Sequence, residues 1–227
     1  MSKDFLKVYQ IYFDDSQLQQ LEFIPHKNTD CTVFFENTVI ADLIEKGAHL
    51  DAEYFGVVSY QLRQKLQLTK RWRSDIGNIS NTVFSPTLFE GFLQRHKPDV
   101  MSFQQHVGHD NVMYADRFHP NFSAFFAKIM QKIGYNWVPT HFESVVYCNF
   151  FVAKSEIYEK YVREMLIPAM KVMSEMPELM GNSNYPNKLR PELRAKFGVN
   201  HYPYHTFLCE RMFSYFMHIH KYKCLNY

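Results

Sequence analysis

Apolar and polar positions along the chain fall into alternating strand-length and helix-length runs. Lys7-Val8-Tyr9-Gln10-Ile11-Tyr12-Phe13 alternates with a period of two and is rich in β-branched and aromatic residues, so it predicts a first strand, ended by Asp14-Asp15-Ser16. Phe23-Ile24-Pro25 predicts an extended segment, because a proline steers the residue before it out of helical geometry. From Thr32 to Lys46 the apolar residues Val33, Phe34, Ile40, Ala41 and Ile44 recur at helical spacing, and Gly47 supplies the stop. Tyr54 to Val58 is unbroken and apolar, the signature of a strand covered on both faces. Leu62 to Leu68 reads as a short helix or a loop.

Further along, Ser85-Pro86 pairs a hydroxyl cap with proline at the first helical position and starts a helix to about Arg95. Asp99 to Phe103 predicts another buried strand, His106 to Phe118 a polar loop, and Pro120 to Ile133 a helix closed by Gly134. Val145 to Val152 predicts a strand that Cys148-Asn149 interrupts. Ser155 caps a long helix that Pro168 kinks or breaks, Asn182 to Pro191 is a loop, and Thr206 to Tyr222 is the last helix. Strands and helices in this order predict one domain over residues 1–227: an α/β sandwich with a mainly parallel central sheet, mainly helical from residue 155 onward.

In such sheets ligands bind outside the carboxyl ends of the strands. The strand at Tyr54 ends in Ser59-Tyr60-Gln61-Leu62-Arg63-Gln64-Lys65, which offers hydroxyls, an amide and two cations. An arginine fork and a lysine point charge suit phosphate oxygens, so Ser59, Tyr60, Arg63 and Lys65 are candidate ligands of a diphosphate. Tyr12 at the end of the first strand and Glu36 on the first helix face the same region in this reading.

Composition narrows the field. The chain is 46% hydrophobic and 21% charged, which is globular rather than disordered. Its net charge of +2 is too mild for a nucleic-acid binder, and the densest basic run, Lys70-Arg71-Trp72-Arg73, is short. The four cysteines are widely spaced with no CxxC, which argues against a zinc ribbon and for a reducing, cytoplasmic setting. No signal-peptide pattern or membrane-length apolar run is present, and neither G-x-G-x-x-G nor a P-loop occurs. An aromatic share of 17% fills a core and also supplies flat faces for sugars or bases.

Three segments carry a resemblance. Phe35-Glu36-Asn37-Thr38 with Ala52-Glu53-Tyr54-Phe55-Gly56-Val57-Val58-Ser59 is the first. Tyr147-Cys148-Asn149-Phe150-Phe151-Val152-Ala153-Lys154 with Tyr158-Glu159-Lys160-Tyr161 is the second. Tyr202-Pro203-Tyr204-His205-Thr206-Phe207-Leu208-Cys209-Glu210-Arg211-Met212-Phe213-Ser214 is the third. In that order they resemble glycosyltransferase-like proteins of bacterial and viral polysaccharide loci.

The resemblance implies a GT-A-like fold and transfer of a hexose or pentose from a UDP- or GDP-sugar donor to a glycan or other hydroxyl acceptor. A non-catalytic carbohydrate-binding protein on the same scaffold is the alternative. Enzymes of that fold usually carry Asp-x-Asp at a central strand's carboxyl end to hold a metal; here that place reads Ser59-Tyr60-Gln61. Either Arg63 and Lys65 neutralise the diphosphate directly, or Mn or Mg sits at His106, His109 and Asp110. A base is also needed to take the acceptor's proton, with Asp110, Asp116, Glu143 and Glu210 as candidates. His106, Asn149, His205 and Arg211 are candidate acceptor or loop contacts.

Overall fold

The computed structural model of the chain describes residues 3–71, 84–103 and 110–227. Among the described residues six strands form one sheet: β1 (Asp4–Tyr12), β2 (Ile24–Lys27), β3 (Ala52–Ser59), β4 (Val100–Ser102), β5 (Phe151–Lys154) and β6 (Cys224–Asn226). Their spatial order is β2-β1-β3-β5-β4-β6. The pairs β1–β2, β1–β3 and β4–β6 are parallel, and β5 runs against both of its neighbours. The mainly parallel sheet expected from the sequence is present, with one reversed strand inside it.

Alternation along the strands sorts side chains to two faces. Ile11, Phe55, Val57, Phe151 and Ala153 join the larger core with helices α1 (Glu36–Glu45), α5 (Phe122–Lys132), α6 (Ser155–Tyr161), α7 (Ile167–Ser174) and α9 (His205–His220). Val8, Tyr54, Val58, Phe150 and Val152 meet α2 (Leu62–Arg71) and α3 (Pro86–His96) on the other face. At Gly56 the strands leave no room for a side chain, since an added Cβ would meet Val152 Cγ1 at 2.6 Å and the Phe151 carbonyl at 3.0 Å. That close approach seats β5 against β3.

Several elements differ from the sequence reading, each for a local reason. The polar stretch after β4 contains a short helix, α4 (Asn111–Ala115), capped by Asp110. The helix capped by Ser155 is not simply kinked at Pro168: α6 passes through a π-helical turn, Val162–Leu166, before α7 carries Pro168. Widening the ladder one turn earlier is a known way to absorb the missing N–H of proline. The strand expected over Val145 to Val152 begins only at Phe151, because Cys148 and Asn149 both have φ 56°. Left-handed backbone at two successive side-chain-bearing residues cannot continue a strand. After α9 a left-handed Lys221 turns the chain into β6, which the sequence reading did not contain. A short helix α8 (Pro191–Phe197) follows the Asn- and Pro-rich loop.

His106 and His109 lie outside the described residues, as do Trp72 and Arg73 of the basic run. Among the described residues no helix is long and apolar enough to cross a membrane.

Candidate functional site

β2 and β3 lie on opposite sides of β1, so the strand order reverses between β1 and β3. A crevice forms outside the carboxyl ends of strands at such a switch point. Outside these ends the structure brings together the end of β1, the start of α1, the first turns of α2, residues 145–150 and α9.

Residues 146–150 are pinned one after another. Ser214 Oγ accepts from the Val146 N–H at 3.0 Å and donates to its carbonyl at 3.1 Å. The Arg211 guanidinium lies 4.6 Å from the Tyr147 ring centre. Cys148 Sγ approaches Glu210 Oε2 at 4.0 Å. Asn149 Nδ2 donates to Asn37 Oδ1 at 3.3 Å, and Asn37 Nδ2 donates to the Phe34 carbonyl at 3.0 Å. The Lys65 ammonium lies 4.9 Å from the Phe150 ring centre. Glu210 and Ser214 sit one helical turn apart on α9, which is why one helix face holds both ends of this strap.

The charges at this place belong to distant parts of the sequence. Arg211 pairs with Glu210 at 3.2 Å, and both side chains are more than four-fifths buried. Burial opposes the charge on Lys65, yet Cys148, Glu210 and Glu36 together raise its pKa above the ordinary lysine value. Burial raises the Glu36 carboxyl and Glu210 adds to the rise, while Lys65 and Arg190 act against it. Burial, with Glu210 behind it, pushes the Cys148 thiol up to about 11, so it is a neutral thiol and not a nucleophilic thiolate near pH 7. Arg190 closes one rim, its guanidinium 4.9 Å from the Phe13 ring centre, and Phe13 meets Tyr60 edge-on. Tyr202 stacks on Phe35 with ring centres 5.5 Å apart.

Glu36, Lys65, Asn149, Glu210 and Arg211 are thus brought together. Ser59 and Tyr60 border them: buried Ser59 Oγ accepts from the Gln61 N–H at 3.3 Å, and the Tyr60 hydroxyl accepts from Gln61 Nε2 at 3.2 Å.

Other candidates are placed elsewhere. Arg63 pairs with Glu22 and is half exposed, away from Lys65. Tyr12 lies beside Lys27 at the end of β2, and it is its neighbour Phe13 that faces Tyr60 and Arg190. His205 is buried, packs edge-on against Phe34 at 5.1 Å, and is pushed by burial down to about 4, so it is a neutral core residue. Glu143 is exposed on the segment before β5.

Asp110 has a structural task. Its Oδ1 accepts from the Val112 and Met113 N–H groups, both at 3.0 Å, and its Oδ2 accepts from the Thr140 N–H at 2.7 Å. A carboxylate so occupied offers a metal or an acceptor hydroxyl little. Among the described residues no group of three or more His, Cys, Asp or Glu side chains is placed to hold a metal ion. Asp110→Ala is expected to lower stability by about 1–3 kcal/mol through the lost cap and the orphaned N–H groups. It should leave affinity for any crevice ligand unchanged, which a thermal melt beside a ligand titration checks.

The sequence reading missed Phe13, Tyr147, Arg190 and Tyr202. Phe13 was available from strand alternation: it follows Ile11 on the face that α1 covers. Tyr147 and Tyr202 stood in the quoted segments without a role, and Arg190 had no local signal, because its place beside Phe13 is fixed only by tertiary packing. Comparison of the chain with family models, with curated proteins and with solved structures finds no match.

Proposed function

We propose that the chain is a glycosyltransferase with a GT-A-like sheet, and that its crevice receives the diphosphate of a nucleotide sugar. One observation carries this reading. The three segments that resemble the glycosyltransferase-like proteins, at the start, middle and end of the chain, contribute Glu36 and Asn37, Tyr147 to Phe150, and Glu210 and Arg211 to one place at the strand switch point.

The chemistry of the donor follows from the charges. Lys65 and Arg211 sit where water is partly excluded and Arg190 stands at the rim, so they can neutralise a leaving diphosphate. Asp110 does not fit a metal site, so no step is routed through a metal. Tyr60 brings an aromatic ring to the same place, against which a base or a sugar can pack. The acceptor is a hydroxyl compound such as a growing glycan, and the setting is the cytoplasm.

Thermal melting with UDP, GDP and soluble glycans tests the proposal. A nucleoside diphosphate is expected to stabilise the fold by about 2.7 kcal/mol at 100 times its Kd, and a matching nucleotide sugar should be consumed. Stabilisation by glycans alone, with none from any nucleoside diphosphate, would identify a carbohydrate-binding protein instead.

A further inference from the structure

We propose that Glu36 is the general base of this transfer, its carboxylate taking the proton of the acceptor hydroxyl as that oxygen attacks the sugar. The inference rests on the transferase reading above. It concerns a residue that sequence reasoning placed only at the donor.

The first support is geometric. Glu36 opens helix α1, and the residue before it, Phe35, has φ 51° and ψ −122°. Such backbone is costly for a residue with a side chain and persists only where packing over-determines it. The Phe35 ring is held between Tyr202, stacked at 5.5 Å, and Phe197, edge-on at 6.1 Å. The strained residue thus fixes where the helix, and with it Glu36, starts.

The second support is that Glu36 is uncommitted. It is half buried, yet among the described residues its carboxylate makes no hydrogen bond or ion pair with another residue. The rival carboxylates are engaged or remote. Glu210 pairs with Arg211, Asp110 caps α4, Asp116 accepts from the Ser123 N–H at 2.9 Å, and Glu143 is exposed.

The third support is the setting. The groups facing Glu36 are Lys65 on α2, Glu210 on α9, Arg190 before α8, Cys31 before α1 and Tyr202 before α9. Burial, helped by Glu210, lifts the carboxyl above the ordinary glutamate range despite Lys65 and Arg190. A base whose pKa lies nearer neutrality holds a transferred proton better.

The step balances. The acceptor O–H bond breaks and its proton moves to Glu36. The freed oxygen pair forms the new bond to the anomeric carbon. The bond from that carbon to the diphosphate oxygen breaks, and its electron pair leaves on the nucleoside diphosphate beside Lys65 and Arg211. A single displacement of this kind inverts the anomeric configuration.

Glu36→Gln keeps the side chain's size and removes the base. Its kcat is expected to fall by roughly 10²–10⁴-fold, while UDP or GDP still stabilises the variant. The acid limb of its pH–rate profile should vanish; in the unmodified chain that limb lies above the ordinary glutamate range. Glu36→Asp keeps a carboxylate drawn back by one carbon and should recover part of the rate. It carries the test alone if Glu36→Gln does not melt cooperatively, its own kcat falling by about tenfold or more. A Glu36→Gln kcat within about threefold of the unmodified chain, an unchanged acid limb, or a product of retained configuration would overturn the assignment. An unmodified chain that neither binds a nucleoside diphosphate nor consumes a nucleotide sugar overturns the transferase reading, and the base with it. Equal transfer by both chains overturns the base alone.

Discussion

Lys65→Met is expected to weaken binding of a nucleoside diphosphate by roughly 10–100-fold, whereas Arg63→Met should change it by less than about twofold. The contrast comes from helix geometry. Residues two apart on an α-helix point about 200° apart around its axis, so Arg63 and Lys65 on α2 cannot converge on one ligand. Arg63 turns to Glu22, half exposed to water. Lys65 turns to the crevice, over the Phe150 ring and within the field of Glu36 and Glu210. Methionine keeps most of the lysine stem, and so most of the packing on Phe150, while the charge goes. A charge-assisted hydrogen bond to phosphate contributes about 1.5–3 kcal/mol, and each 1.4 kcal/mol is tenfold in affinity. Calorimetric titration with UDP and GDP at one fixed salt concentration checks this. A larger loss from Arg63→Met than from Lys65→Met would place the diphosphate on the wrong face of α2.

The same pair shows what the chain disclosed and what it withheld. That a cationic segment follows a buried strand is legible from Tyr54-Phe55-Gly56-Val57-Val58 and the residues after it. Whether both cations face one way depends on whether Leu62 to Leu68 is helix or loop, and the sequence left that open. Strong local signals were reliable: Ser85 caps α3 through the Leu88 N–H with Pro86 behind it, and Gly47, at φ 74°, follows α1. β6 and the late start of β5 were not legible. β6 has three residues and exists only because β4 is there to pair with it. The turn at Cys148 and Asn149 runs against the apolar pattern around it, and it is anchored by Asn37, more than a hundred positions earlier. Asp110 looked like chemistry for a related reason: a carboxylate at a loop end has the same appearance in sequence whether it meets substrate or the N–H groups of the next helix.

Phe213→Ala should cost about 3–5 kcal/mol of stability, the largest structural loss we expect from one substitution near the crevice. Phe213 is 1% exposed. Its ring stacks on Phe151 of β5 with centres 3.8 Å apart and planes within 10°, and Tyr161 of α6 meets it edge-on at 4.8 Å. Truncation removes the contact that seats α9 on the sheet and leaves a ring-sized cavity between three elements. For a chain of this size each kcal/mol shifts Tm by about 2–4 °C, so the melting point should fall by roughly 6–20 °C. Function should suffer as well, because Glu210, Arg211 and Ser214 stand within one turn of Phe213 on the same helix and hold residues 146–148 in place. Well below its new melting point, the variant should therefore still bind a nucleoside diphosphate less tightly than the unmodified chain. If Phe213→Ala melts early but binds with undiminished affinity, α9 is not what positions the crevice, and Arg211 loses its claim to the donor.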